Sequence, residues 1–302
     1  MPEHSGQAVV VGIDGAESAS RVVRWAAAEA RHRHAELRLV HAIDDEELRY
    51  PRSLPLHEDL AEKARMRGHR LLRHAREVAR EADPSIEVVA ILRHERPAQA
   101  LLAASEDAAL LVLGAEQIRP LGRALVGSVA IAVATHARCP VAVVRPHVAE
   151  DEAPAEGPVV VGVDGSRASE AALALAFQEA SWRGAPLVAL HCWDDAFLSA
   201  LFAEARWTLD TRDIEEREGE VLAERLAGWQ ETHPDVPVER VVTRGRASDE
   251  LLGYADRARL LIVGSRGRGG VAGMLLGSTG QRVLSAALCP VIVARAREDG
   301  KR

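Results

Sequence analysis

Lysine is almost missing: of the 38 basic residues in this 302-residue chain, only Lys63 and Lys301 are not arginine. Chemistries that rest on a lysine, such as Schiff-base formation or the phosphate-gripping lysine of a P-loop, have next to no candidate. Aromatics are also scarce, ten in all, too few for the stacking platforms of single-strand nucleic-acid binders. The three cysteines (Cys139, Cys192, Cys289) lie far apart and form no C-x-x-C pair, which predicts a reduced, cytosolic setting. No apolar run approaches the roughly 18 residues of a membrane span. The polar opening, Met1 to Gln7, lacks the charged-then-apolar plan of a signal peptide. A net charge of −7 and a pI near 6.0 argue against nucleic acid or an anionic membrane as the main partner.

What is present is enough for folded domains. Apolar residues make up 47% of the chain and charged residues 27%, the balance of globular proteins rather than disordered ones. The length suits two domains, and an internal repeat says which two. Ala8-Val9-Val10-Val11-Gly12-Ile13-Asp14-Gly15 returns as Pro158-Val159-Val160-Val161-Gly162-Val163-Asp164-Gly165, an offset of 150. The same offset relates His41 to His191, Arg96 to Arg246, Gly114 to Gly264, Gly127-Ser128 to Gly277-Ser278 and Cys139-Pro140 to Cys289-Pro290. One offset held over that distance means duplication with little net insertion. The expected domains are 1–147 and 158–302, joined by an acidic linker with proline and glycine over 148–157.

Each half alternates strand and helix. β-branched runs open the units (Val9 to Ile13, Val159 to Val163), and Ala-rich helices follow over about 18–33 and 168–182. Further strands are expected at Leu37 to His41 and Leu187 to His191, then at Glu87 to Leu92 and Val238 to Thr243. Long charged helices over about 57–82 and 208–231 separate them. Short helices start near Pro97 and Ser248. The apolar runs Leu110 to Leu113 and Leu260 to Val263 read as strands buried on both faces. A last helix and a strand (Val141 to Val144, Val291 to Ala294) close each unit. This alternation predicts α/β architecture: two tandem doubly wound domains, each with a five-stranded parallel sheet.

Ligands of such sheets bind beyond the carboxyl ends of strands, where the strand order reverses. Two loops per unit leave those ends with suggestive residues. Asp14-Gly15 and Asp164-Gly165 follow the first strand. A glycine loop follows the fourth strand and, in the second half, runs Gly264-Ser265-Arg266-Gly267-Arg268 through to Gly277-Ser278-Thr279. Glycines allow close backbone approach to an anion, a helix N-terminus favours phosphate, and Arg266 or Arg268 can neutralise charge. From glycines alone, a plain surface loop with a serine cap fits as well.

The spacing Gly264-x-x-Gly267, nine residues, Gly277-Ser278 resembles the ATP-binding motif of the universal stress protein family. The openings Val-Val-Gly-Val-Asp164-Gly165-Ser166 and closings Cys289-Pro290-Val291-Ile292-Val293 are similar in the same order. The resemblance covers nearly the whole chain, twice, and implies the universal stress protein (adenine-nucleotide alpha-hydrolase-like) fold in tandem. It implies that Asp164 and Gly162 meet the adenine, that Cys192 lines its pocket, and that Gly264, Gly267, Gly277, Ser278 and Thr279 hold ribose and phosphates. The counterparts in the first half are Gly12, Asp14, Ala42, Gly114, Gly127 and Ser128, with Gly122 and Arg123 nearby. It also implies ATP as ligand, with or without Mg2+, a role in stress response, and a homodimer formed through terminal strands (Val141 to Val144, Val291 to Val293). The first half departs from the motif. Gln117 stands where the second glycine belongs and Glu116 opposite Arg266, so weaker or absent ATP binding is expected there.

Other readings are less well supported. No G-x-x-x-x-G-K-[ST] exists, and Gly267-Arg268-Gly269-Gly270-Val271-Ala272 follows the wrong strand for a dinucleotide fingerprint. One Arg-Gly-Gly copy in an acidic chain is weak evidence for RNA binding. His41 and His191 have no nucleophile beside them in sequence and read as structural. Cys139 and Cys289 read as buried thiols. The run Arg65 to Arg70 reads as a solvated helix face. Ala196 to Phe202 is core or contact surface, and sequence does not separate the two. No catalytic residue and no metal-ligand cluster stands out. The expectation is a cytoplasmic, ATP-binding stress-response protein, with a weak ATPase or nucleotidyl-transfer enzyme, or a nucleotide-free interaction module, as alternatives.

Overall fold

Runs of β-branched residues set between alanine- and leucine-rich amphipathic stretches give two α/β units in the computed structural model, Met1–Pro146 and His147–Arg302. The structure describes residues 8–16, 18–44, 56–115, 126–145, 157–193, 211–268 and 276–296, without the side chains of 56–58 and 211. The linker over 148–156, Glu116, Gln117, Gly122, Arg123, and the stretch Ala196 to Phe202 fall outside those residues. Unit 1 runs β1 (Ala8–Gly12), α1 (Ala19–Arg33), β2 (Leu37–Ala42), α2 (Leu56–Ala82), β3 (Val88–Arg93), α3 (Pro97–Ala104), β4 (Ala108–Gly114), α4 (Ser128–His136) and β5 (Val141–Val144). Unit 2 repeats the plan with β6 (Val159–Gly162), α5 (Arg167–Arg183), β7 (Leu187–Cys192), α6 (Thr211–Thr232), β8 (Val238–Thr243), α7 (Ala247–Tyr254), β9 (Leu260–Gly264), α8 (Ser278–Ala286) and β10 (Val291–Ala294).

Within unit 1 the strands lie in the order β3-β2-β1-β4-β5, and within unit 2 in the order β8-β7-β6-β9-β10. Every described pairing inside a unit is parallel, from Val9 beside Leu37 and Val11 beside Val112 to Val161 beside Ile262. Chain order reverses between β1 and β4, and again between β6 and β9. Those gaps are the switch points where a loop from each side can grip one ligand. Helices cover both faces, so Val9, Val10, Val11, Leu110, Leu111, Val112 and their repeats in unit 2 are fully buried.

Local chemistry explains where helices start and stop. The Ser166 hydroxyl accepts from the Ser169 N–H at 3.2 Å and caps α5. Ala16 holds that place in unit 1 and has no hydroxyl, so α1 begins two residues later in the repeat, after Ser18. Both helices end on a left-handed residue, His34 with φ 50° and Gly184 with φ 57°. Each also buries an ion pair one turn from its end, Glu29 with Arg33 and Glu179 with Arg183, both glutamates fully buried. A repeated, matched buried pair is part of the scaffold that the duplication copied.

Candidate functional site

The site of unit 2 begins at the turn after β6. Asp164, Gly165 and Ser166 fold back tightly enough that the Ser166 N–H reaches the Asp164 Oδ1 at 2.9 Å. Gly165 supplies the φ of +74° that the turn needs. The second carboxylate oxygen, Oδ2, accepts from the Arg268 N–H at 3.0 Å, and the Ser166 hydroxyl donates to the Arg266 carbonyl at 3.2 Å. These two bonds tie the loop after β6 to the loop after β9 across the switch point. Burial pushes the Asp164 carboxyl up, but the bonds from Ser166, Arg268 and Ser169 outweigh it and hold the group below the ordinary carboxylate value. Asp164 is therefore an ionised latch.

The three motif glycines look alike in sequence and have three different physical causes. A Cβ on Gly264 would lie 2.8 Å from the Ala168 carbonyl carbon, so glycine there lets α5 pack on β9. A Cβ on Gly267 would lie 2.6 Å from the Asp164 Oδ2 and displace the latch. Gly277 is different. It has an ordinary φ of −71°, and its nearest contacts to a Cβ, on Arg266, Gly267 and Ser265, would all be at 3.8 Å. Neither backbone strain nor packing requires glycine at 277. Its N–H donates to the Ser265 carbonyl at 2.8 Å, and α8 starts directly after it with Ser278 and Thr279. A side chain there would make only ordinary van der Waals contacts, at the N-terminus of a nine-residue helix, where amide dipoles favour an anion.

Two guanidinium groups converge beside this cradle. A Cβ on Gly165 would lie 2.6 Å from Arg225 Nη2 and 2.7 Å from Arg268 Nη2. Arg225 comes from α6 and is steadied by a 2.6 Å bond to Glu170 of α5. Asp164 and Glu170 balance the charges of Arg225 and Arg268, so the mouth holds two cations already matched by two carboxylates. Sequence reasoning missed Arg225, which reads as one more charge on a solvated helix. The repeat carried a signal, because unit 1 has Ala75 at that place and sets Leu71 against Gly15 instead.

On the other side of β6, the end of β7 carries His191, Cys192 and Trp193. His191 is buried, with Nδ1 2.7 Å from the Val163 carbonyl and Nε2 2.9 Å from Glu218 of α6. It fixes the peptide just before Asp164 and is the structural histidine that its position implied. Burial, reinforced by the charge of Glu250, pushes the Cys192 thiol up to about 12, so it stays a neutral wall. The buried Trp193 Nε1 has no hydrogen-bond partner, and Arg244 lies over the indole with its guanidinium carbon 5.6 Å from the ring centroid.

Comparison with known proteins places this geometry. Residues 7–145 and again residues 157–295 match the Universal stress protein family. The chain belongs to the universal stress protein family. Among its relatives, Universal stress protein Rv2005c of Mycobacterium tuberculosis is 40% identical over 290 residues, covering 95% of this chain and 96% of the relative. Universal stress protein Rv2623 of the same organism is 40% identical over 296 residues and covers 97% of each. The crystal structure of a universal stress protein from Archaeoglobus fulgidus shares the fold with a TM-score of 0.68 at 21% identity, over 96% of this chain and 98% of that one.

The other expected residues of this universal stress protein fall as follows. Gly162 faces Leu251, which would lie 3.3 Å from a Cβ there, so packing also accounts for that glycine. Cys192 stands on the opposite side of β6 from the glycine loop. In unit 1, Asp14 is exposed and accepts from the Ala16 N–H at 3.0 Å. Gly114 would set a Cβ 3.2 Å from Val22, a milder conflict than at Gly264. Gly127 caps α4 with nothing within 4 Å of a Cβ, and Ser128 opens the helix. Ala42 is half-buried at the end of β2, and the neighbouring His41 bonds the Ile13 carbonyl at 2.6 Å. Among the described residues no cluster of His, Cys, Asp or Glu could hold a metal ion, and no helix is long and apolar enough to cross a membrane.

Proposed function

We propose that unit 2 of this universal stress protein binds ATP, and that the bound nucleotide sets the state of a cytoplasmic stress-response regulator. The observation that carries the reading is Gly277: a residue without a packing or conformational need for glycine stands at a helix N-terminus. ATP fits what surrounds it. Amides of Gly267, Ser278 and Thr279 and the hydroxyls of Ser278 and Thr279 are suited to the phosphates, and Arg225, Arg266 and Arg268 would offset their charge. Asp164 keeps lone pairs for ribose or adenine while it holds the two loops together, and Gly162 and Cys192 form the wall toward β7. Mg2+ would enter with the phosphates, because among the described residues no cluster of His, Cys, Asp or Glu could hold it alone. In unit 1 the residues Gly12, Asp14, Ala42, Gly114, Arg123, Gly127 and Ser128 would form the matching, weaker site.

Native mass spectrometry of gently purified protein tests this, with one bound adenine nucleotide per chain as the expected result. Absence of nucleotide, together with no thermal shift on adding ATP and Mg2+, refutes it. Two sites of equal affinity in calorimetry would remove the distinction between the units. Gly277→Glu puts a carboxylate into the cradle and is expected to abolish binding. Arg225→Ala is expected to weaken ATP more than adenosine. The homodimer belongs to the same reading, and a 32.6 kDa species in sedimentation equilibrium would exclude it.

A further inference from the structure

Unit 1 has a groove of about 420 Å3 between α2 and β3, lined by His69, Leu72, Arg73, Arg76, Ala90 and Leu92. It involves neither switch-point loop. His69, Arg73 and Arg76 are spaced i, i+4, i+7 and share one face of α2, while Leu72, Ala90 and Leu92 supply apolar surface. The volume lies within the range of small-molecule sites, about 300–1,000 Å3.

Comparison of the two units shows that this groove is not simply what the fold produces. The offset of 150 places Gly219, Ala223 and Leu226 of α6 where α2 has His69, Arg73 and Arg76. Leu226 is fully buried, a core leucine where unit 1 has an arginine. On the strand the exchange runs the other way, with Arg240 exposed where unit 1 has Ala90. Unit 1 thus removes a long side chain from the strand, which opens the groove, and turns a cation into the position of a core leucine. That cation has a cost. The Arg76 Nε is cut off from solvent and has no hydrogen-bond partner, although buried polar groups are almost always paired. Among the described residues, no acidic side chain pairs with Arg73, Arg76 or His69, in a chain with a net charge of −7.

We propose that this groove binds a small amphipathic carboxylate, an apolar body lying on Leu72, Ala90 and Leu92 with its anionic head held by Arg76 and Arg73. A planar carboxylate matches the fork of a guanidinium that lines the groove. The unpaired cations set the sign of the ligand, and the leucines and alanine set its apolar tail. His69, at the exposed rim, adds a third donor.

Octanoate is the probe, followed by amide-shift mapping of the full-length protein. Saturable shifts confined to about residues 66–76 and 88–93 are expected, with a Kd on the order of 0.1–1 mM for a ligand of this size. Acetate, a head without a body, and octanol, a body without a head, are each expected to bind at least tenfold more weakly. Arg76→Leu installs the residue that unit 2 buries at this place. It is expected to keep or raise the melting temperature while weakening octanoate at least tenfold. Arg73→Gln serves as a second variant with a smaller loss. The proposal is overturned by absent or unsaturable shifts, by acetate or octanol matching octanoate, or by unchanged affinity in Arg76→Leu. Binding of an acidic peptide where octanoate has no effect would also overturn it, since that would make the groove a peptide-docking surface.

Discussion

Alanine substitution of the three motif glycines tests the reading of the site, because each has a different expected pair of outcomes. Gly264→Ala drives a methyl to 2.8 Å from the Ala168 carbonyl carbon and 2.9 Å from its oxygen. These are backbone atoms, so α5 must move, at a cost of about 1–3 kcal/mol for such overpacking. At roughly 2–4 °C per kcal/mol the melting temperature should fall by about 2–12 °C. Gly267→Ala meets the Asp164 Oδ2 at 2.6 Å, the mobile end of a side chain. The latch breaks and a charge-assisted hydrogen bond worth about 1.5–3 kcal/mol is lost, so stability and ATP affinity should fall together. Gly277→Ala meets nothing closer than 3.8 Å. The entropy it removes from the unfolded chain, about 0.4–1 kcal/mol, roughly offsets the poorer cap that alanine makes. Its melting temperature should stay within about 2 °C of the parent, while ATP binding drops tenfold or more, about 1.4 kcal/mol. Differential scanning fluorimetry and calorimetric titration read both axes. If Gly277→Ala binds ATP with parental affinity, the absence of a side chain at 277 does not serve a ligand and the functional argument fails.

Further outcomes follow from the same contacts. Glu179→Ala leaves Arg183 buried and unpaired and should cost about 3–5 kcal/mol, whereas replacing both residues with leucine should recover most of that loss in chemical denaturation. The Asp164 carboxyl is held below its ordinary value, so its contribution is complete above the unfolded-state value near 3.9 and is lost as pH falls through the folded value. Asp164→Asn should therefore lower stability at pH 7 by about 1–3 kcal/mol and flatten the acid limb of the stability–pH curve. The Cys192 thiol, pushed up to about 12, should react with a disulfide reagent at pH 8 at least about a hundredfold more slowly than a free cysteine. Cys139 and Cys289, both buried, should label only on unfolding. Fast native labelling of any of the three would contradict the burial.

The fold was legible because its determinants are local and periodic. Apolar runs placed all ten strands within about two residues, and the 150-residue offset let each half check the other. The candidate site was legible only where it is built from loops. Asp164 and Gly277 announce themselves beside strand and helix ends. Arg225, Glu218 and Arg76 do not, since each lies on a long charged helix where sequence sees only a polar face. Whether such a side chain meets water, a histidine ring or a groove depends on what the strand beneath it carries, and that pairing spans roughly fifteen to sixty residues. The buried pairs Glu29–Arg33 and Glu179–Arg183 were missed for a different reason. An i, i+4 ion pair looks like surface chemistry until the helix face is known, although its exact repetition in both halves was there to be read.

The two units diverge in a way that bears on function. Their central strands are closely alike, β1 with β6 and β4 with β9, because residues buried on both faces tolerate little change in volume. The differences gather on the long helix, α2 in one unit and α6 in the other. Against the first turn glycine unit 1 sets Leu71 and unit 2 sets Arg225. Against the strand-end histidine unit 1 sets Gly68 and unit 2 sets Glu218. Over the edge strand unit 1 sets Arg76 and unit 2 sets Leu226. On the helix, unit 2 thus sets Glu218 and Arg225 toward the switch point while unit 1 sets Arg76 over the edge strand, and on the edge strand itself unit 2 carries Arg240 where unit 1 has Ala90. Duplication preserved the scaffold, and under the two proposals above the long helix of each copy would serve an anion of its own.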